Sequence, residues 1–174
     1  AYYLKNYGVG YTGKKALRKL GVPISQESEY MTFLRRVSPS KAELNVQRKS
    51  GLEGRFHFTV VLEQGEENRS MDWKEGKTAE DILNKAKGDY LVFSGKGAVP
   101  RENFLYEICI AAELGADLIY TDEDNARGKK RFRPFFKPDA SLEFLLNFQY
   151  LGRIFVIKKE LFGKIVEKTK GELT

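Results

Sequence analysis

Three short apolar runs separated by helical stretches restrict this chain to a layered α/β fold. Phe56, Phe58, Val60 and Leu62 alternate with His57, Thr59 and Val61, the period-2 signature of a strand over residues 56–62. Tyr90-Leu91-Val92-Phe93 and Leu118-Ile119-Tyr120 are continuous apolar runs too short for helices, and they read as buried strands. Thr78 stands where an N-cap belongs, ahead of a helix over 79–87 that carries Ile82, Leu83 and Ala86 and is closed by Gly88. Pro100 opens a second helix whose inner face is Phe104, Leu105, Ile108, Ala111 and Ala112, and Gly115 stops it. Strand, helix, strand, helix, strand in short succession implies parallel crossovers, and so a mostly parallel sheet covered by helices.

The flanks extend this layer. Ser141 is placed to cap a helix over 142–148, a strand follows over 151–157 with Gly152 inside it, and a charged helix over 158–168 ends the pattern. Residues 64–77 are polar, with Trp73 as their one large anchor. Residues 1–50 read as short helices. Ala16, Leu17 and Leu20 lead to Gly21 and Pro23, a helix stop. Tyr30, Met31, Phe33, Leu34 and Val37 form a stripe ended by Ser38-Pro39. Ser40-Lys41-Ala42-Glu43 fits a capping box ahead of a helix running to about Lys49. With residues 50–54 as linker, the expected organisation is a small basic helical arm over 1–50 and an α/β domain over 55–174.

Composition excludes several classes. A chain of 174 residues with 41% hydrophobic and 31% charged content can bury a core and is not disordered throughout. No apolar run approaches the roughly 20 residues that span a bilayer. Cys109 is the single cysteine, so an internal disulfide is excluded, and its helical position points to core packing. His57 is the single histidine and reads as structural within the first strand; with one cysteine and one histidine a zinc site has too few ligands. The net charge of +6 is concentrated in residues 1–50, which hold ten lysines and arginines against three glutamates. Such an arm is either a solvated helical face or a contact for an anionic membrane surface or nucleic acid. The chain reads as an excerpt of a longer protein, with further domains as partners.

Function concentrates where the third strand empties into Asp122-Glu123-Asp124. Three carboxylates in a row are too costly to bury unpaired, so they face water, a cation or basic groups at a strand end. Ligand sites of open α/β sheets lie at that end. The alternatives are a solvated turn, a cation site using Asp122 and Asp124, or a wall of a substrate pocket. A basic loop follows, with Arg127, Lys129, Lys130, Arg131, Arg133 and Lys137. Its interleaved Phe132, Phe135 and Phe136 also suit single-stranded nucleic acid, but the adjacent acids would repel a phosphate backbone, which makes nucleic acid the least favoured partner.

In combined order, the strand with Ile119-Tyr120-Thr121-Asp122-Glu123-Asp124, the basic loop, Phe136-Lys137-Pro138-Asp139, a Leu-rich helix and the Tyr150-Leu151-Gly152 strand start resemble family 2 glycosyltransferases of bacterial surface-polysaccharide assembly. The resemblance covers most of residues 55–162. It implies a glycosyltransferase-A fold, a Rossmann-like mostly parallel sheet that binds a nucleotide-sugar donor beside a glycan acceptor. It also implies a cytoplasmic location, with the basic arm available to the inner face of the membrane. Members of that family end the strand equivalent to 90–93 in an Asp-x-Asp type motif, whose carboxylates hold Mg²⁺ or Mn²⁺ against the leaving diphosphate. Here that place reads Ser94-Gly95-Lys96-Gly97, without a carboxylate. The second acidic strand end that contacts the nucleotide has only Asp72 as a counterpart, and the family's acceptor side and catalytic base fall beyond the chain.

The resemblance therefore implies Asp122, Glu123 and Asp124 as substrate-binding residues. Lys96, Arg131, Arg133 and Lys137 are the groups available to phosphates, with Lys96 in the place of the metal. Two function classes lead, ahead of a less favoured nucleic-acid-binding basic domain. One is a nucleotide-sugar-dependent glycosyltransferase; the other, favoured for these residues taken alone, is a non-catalytic scaffold or glycan-binding module.

Overall fold

The computed structural model describes residues 19–20, 26–62 and 78–169. The helix stop at Gly21 and Pro23, the anchor Trp73 and the acid Asp72 lie outside the described residues. In chain order the elements are helices α1 (Gln26–Val37) and α2 (Lys41–Lys49), a 3₁₀ turn (Leu52–Gly54), strand β1 (Phe58–Leu62), helix α3 (Ala79–Lys85), strand β2 (Tyr90–Ser94) and helix α4 (Phe104–Glu113). Strands β3 (Leu118–Tyr120), β4 (Glu123–Arg127) and β5 (Lys130–Phe135), helix α5 (Leu142–Asn147), strand β6 (Ile154–Lys158) and helix α6 (Lys159–Lys168) complete them. Among the described residues no helix is long and apolar enough to cross a membrane.

The chain forms two compact units, residues 1–38 with 124–135, and residues 39–123 with 136–174. The smaller contains α1 and most of the hairpin β4–β5, and α1 packs on β5. The basic segment expected as a loop is thus a two-stranded sheet. Its two-residue turn starts at Gly128, whose φ of 58° is open to glycine and strained for other residues. Helix α2, with the complete Ser40–Glu43 capping box, belongs to the larger unit.

The larger unit is built on a mixed sheet in the order β1-β2-β6-β3. β1 and β2 pair in parallel, while β6 is antiparallel to both β2 and β3. The expectation of a mostly parallel sheet is therefore corrected: two of the three ladders are antiparallel. The physical reason is where the last connection ends. After β3 the chain returns to the carboxyl end of the sheet, so the next strand can only run back, and it fills the gap between β2 and β3. The crossover through α4 does keep β3 in the direction of β2, but one strand away.

Side-chain alternation builds a core on each face. Tyr90 and Val92 join Val60, Ile108, Ala112 and Val156 on the α4 side. Leu91 joins Ala79, Ala86, Ile157, Phe162 and Val166 on the side of α3 and α6. Cys109 is buried on α4, as its spacing implied. Two expectations shift: α4 starts at Phe104 after a turn, not at Pro100, and His57 lies just ahead of β1, exposed, with Nδ1 3.6 Å from Asp89.

The entry to β2 is tied tightly to β1. Asp89 N donates to His57 O at 2.7 Å, and buried Thr59 Oγ1 accepts from Lys87 N and Gly88 N at 3.2 and 3.0 Å. A Cβ on Gly88 would collide with His57 O and sit 2.8 Å from Thr59 N. Gly88→Ala is therefore expected to cost about 2 kcal/mol in urea unfolding, the scale of core overpacking. Gly54→Ala, with nothing within 4 Å, should stay within about 0.5 kcal/mol. Equal costs would contradict the close approach.

Candidate functional site

At the carboxyl end of β3 the chain runs through Thr121 into Asp122 and Glu123, and within the larger unit three segments converge there. The ladder aligns Ser94 with Ile154 and Tyr120 with Phe155, so the ends of β2 and β3 flank the start of β6. Gly95 N donates to Arg153 O at 2.7 Å and carries the ladder one step beyond β2. Tyr120 Oη donates to Pro138 O at 2.8 Å. Tyr150, 2% exposed, packs edge-on against Tyr120 with ring centroids 5.4 Å apart, and its hydroxyl accepts from Ser141 N at 3.0 Å. Ser141 in turn caps α5. Residues 136–141 are thereby stitched to the end of β3.

Lys137 is the centre of this arrangement. Its side chain is only 2% exposed, with Nζ donating to Leu151 O at 2.7 Å and lying 3.7 Å from Glu123 Oε2. Glu123 Oε2 also accepts from Arg153 N at 3.1 Å, while Lys137 N donates to Asp122 Oδ1 at 2.7 Å. The ion pair sits over Gly152, where an added Cβ would collide with Lys137 Nζ and lie 2.6 Å from Glu123 Oε2. Gly152 has φ 83°, so both conformation and space require glycine. Burial pulls the Lys137 ammonium below its ordinary value, and the nearby Glu123 and Asp122 offset only part of that effect.

Asp124 has a different environment. In the smaller unit its side chain is 3% exposed, and Arg131 grips it through Nε at 2.8 and 3.0 Å and through Nη2 at 2.5 Å. Tyr30 Oη also donates to Oδ2. Both oxygens are committed to an internal bidentate pair, a strong charge-assisted arrangement. Arg133 is exposed at φ 51°, the one non-glycine positive φ among the described residues.

The structure thus brings Asp122, Glu123 and Lys137 together, and separately joins Asp124 to Arg131. Lys96 is exposed in the turn after β2, where Arg153 Nη1 donates to Lys96 O at 3.0 Å. Arg153 is the site residue that sequence reasoning passed over. Its only signal was its place beside Gly152 at a strand start.

A divalent cation does not fit these residues. Ser94-Gly95-Lys96-Gly97 offers no carboxylate, Asp122 and Glu123 each have one oxygen engaged, the Lys137 ammonium lies beside Glu123, and both Asp124 oxygens are committed. Among the described residues no group of three or more acidic, His or Cys side chains is placed to hold a metal.

No protein-family model matches the chain, and no solved structure matches it. It is 30% identical, over 117 residues and 65% of its length, to the O-antigen biosynthesis protein RfbC of Myxococcus xanthus. The chain spans about 8% of that protein's length.

Two measurements check these assignments. Arg131→Ala leaves a buried carboxylate without its ion partner and is expected to cost about 3–5 kcal/mol, whereas Arg133→Ala on the exposed side should fall within about 0.5 kcal/mol. Similar losses in urea unfolding would contradict the internal pair. The pH dependence of Lys137 has a definite sign. Its folded value lies below 10.5, so between that value and 10.5 the unfolded chain binds more protons and the Lys137 contribution to stability rises with pH. The stability of wild type relative to Lys137→Met should therefore increase as pH rises toward 10.5. A difference that shrinks would contradict a cation held against burial.

Proposed function

We propose that the larger unit is a glycosyltransferase-A-like module of a polysaccharide-assembly protein, and that it binds the diphosphate side of a nucleotide-sugar donor at the carboxyl end of its sheet. The observation that carries this reading is a topology joined to a motif. β1, β2 and β3 share one direction with antiparallel β6 inserted between β2 and β3. The Asp122-Glu123, Lys137 and Gly152 motif of the resembled family meets at their common carboxyl end, the ligand end of such sheets. The similarity to an O-antigen biosynthesis protein supports the polysaccharide context.

The carboxylates bear on what the module does with a donor. Acceptor activation needs a base with a free oxygen aimed at the reacting hydroxyl. Glu123 is tied to Arg153 N and paired with Lys137, exposed Asp122 is held by Lys137 N through one oxygen, and Asp124 is enclosed by Arg131 and Tyr30. In this reading these residues shape and position the site, and transfer requires a base supplied from elsewhere. The same commitment of the carboxylates favours a second reading, a non-catalytic module that binds glycan alone.

Calorimetric titration of the chain with a panel of nucleotide sugars and oligosaccharides separates the two. Heat with at least one nucleotide sugar, without product formation by this chain alone, is the expected result. Heat only with oligosaccharides favours the second reading, and heat with neither overturns both.

A further inference from the structure

We infer that Arg153 and Lys96 form a diphosphate clamp that works without a divalent cation; the inference deepens the glycosyltransferase-like reading and rests on its placement of the ligand end of the sheet. Arg153 is pinned but not neutralised. Its carbonyl accepts from Gly95 N at 2.7 Å, its amide donates to Glu123 at 3.1 Å, and Nη1 donates to Lys96 O at 3.0 Å. Among the described residues no carboxylate pairs with its guanidinium, which is exposed at the mouth of the site. A guanidinium bound to a carbonyl keeps its full charge, and one such bond leaves four of its five N–H donors for a ligand.

Lys96 follows the neighbouring strand end, exposed and joined to Arg153 through its own carbonyl, and in this inference its ammonium and the guanidinium meet one ligand from adjacent segments. Two positive groups suit a dianionic group with two phosphorus centres better than a single carboxylate, and the planar guanidinium fork matches phosphate oxygens bidentately. A divalent cation in the same place would be repelled by both groups, and the carboxylates beside it, Asp122 and Glu123, each already hold a bond within the protein. The Glu123–Lys137 pair serves as the positioning device. By accepting the Arg153 amide, Glu123 fixes the backbone from which the guanidinium projects.

The test is calorimetry of the full chain with inorganic pyrophosphate in excess EDTA. Binding should persist in EDTA. Arg153→Gln and Lys96→Gln should each weaken it roughly tenfold, the loss expected from one charged hydrogen-bonding partner. Arg153→Lys should recover part of the loss. Lys164→Gln, which removes a charge on α6, should leave affinity unchanged, and inorganic phosphate should bind at least about tenfold more weakly than pyrophosphate. The Arg153 amide and carbonyl contacts survive substitution, and an unchanged thermal unfolding curve checks that the fold does too. Absence of pyrophosphate binding, binding only when Mg²⁺ is added, or full affinity in Arg153→Gln would overturn the clamp. Pyrophosphate binding with no response to any nucleotide sugar would leave the clamp standing and remove the glycosyltransferase reading. Mn²⁺-dependent nucleotide-sugar binding, indifferent to Arg153→Gln, would do the reverse.

Discussion

A lysine ammonium buried beneath a glycine holds the carboxyl end of this sheet together. Removing a cation from water costs several kcal/mol unless hydrogen bonds and an opposite charge compensate. Lys137 receives both, from Leu151 O and Glu123. The geometry works only because residue 152 has no side chain and adopts a positive φ. The same pair gives the Arg153 amide its acceptor just ahead of β6, which runs back between β2 and β3. The antiparallel insertion that distinguishes the sheet is thus tied to a local charge arrangement at its carboxyl end.

The acid triplet illustrates how little a run of like residues says about shared purpose. Side chains of successive residues in an extended segment alternate in direction, so three neighbours do not converge on one ion. Asp122 accepts a backbone amide, Glu123 compensates a buried lysine, and Asp124 is enclosed by Arg131 and Tyr30 in the other unit. Each acid has found a positive or donor partner within the protein. At the sheet end Lys96 and Arg153 face solvent together with Asp122.

Features governed by neighbours in sequence were legible. The Ser40–Glu43 box, the Thr78 and Ser141 caps, and the alternating inward faces of β1 and β2 all follow from residue types at short spacing. Features governed by contacts distant in sequence were not. A crossover helix shows that β3 runs with β2 but not that β6 lies between them. The basic stretch after Asp124 read as a loop because its apolar content is low, although Arg127-Gly128-Lys129-Lys130 carries a glycine at the turn of a hairpin. Lys137 read as a phosphate ligand from charge alone; its burial depends on residues 123 and 151, which no local pattern connects to it. Arg153 drew no notice for the same reason.

A residue-resolved map of ligand contact tests most directly where the molecule binds. Backbone amide chemical shifts of the chain, followed while pyrophosphate is added in the presence of EDTA, report every perturbed position at once. The expected shifts cluster at Gly95, Lys96 and Gly97, at Asp122 and Glu123, and at Gly152 and Arg153. Shifts concentrated instead on the basic hairpin Arg127 to Arg133, or none at all, would contradict a diphosphate site at the carboxyl end of the sheet.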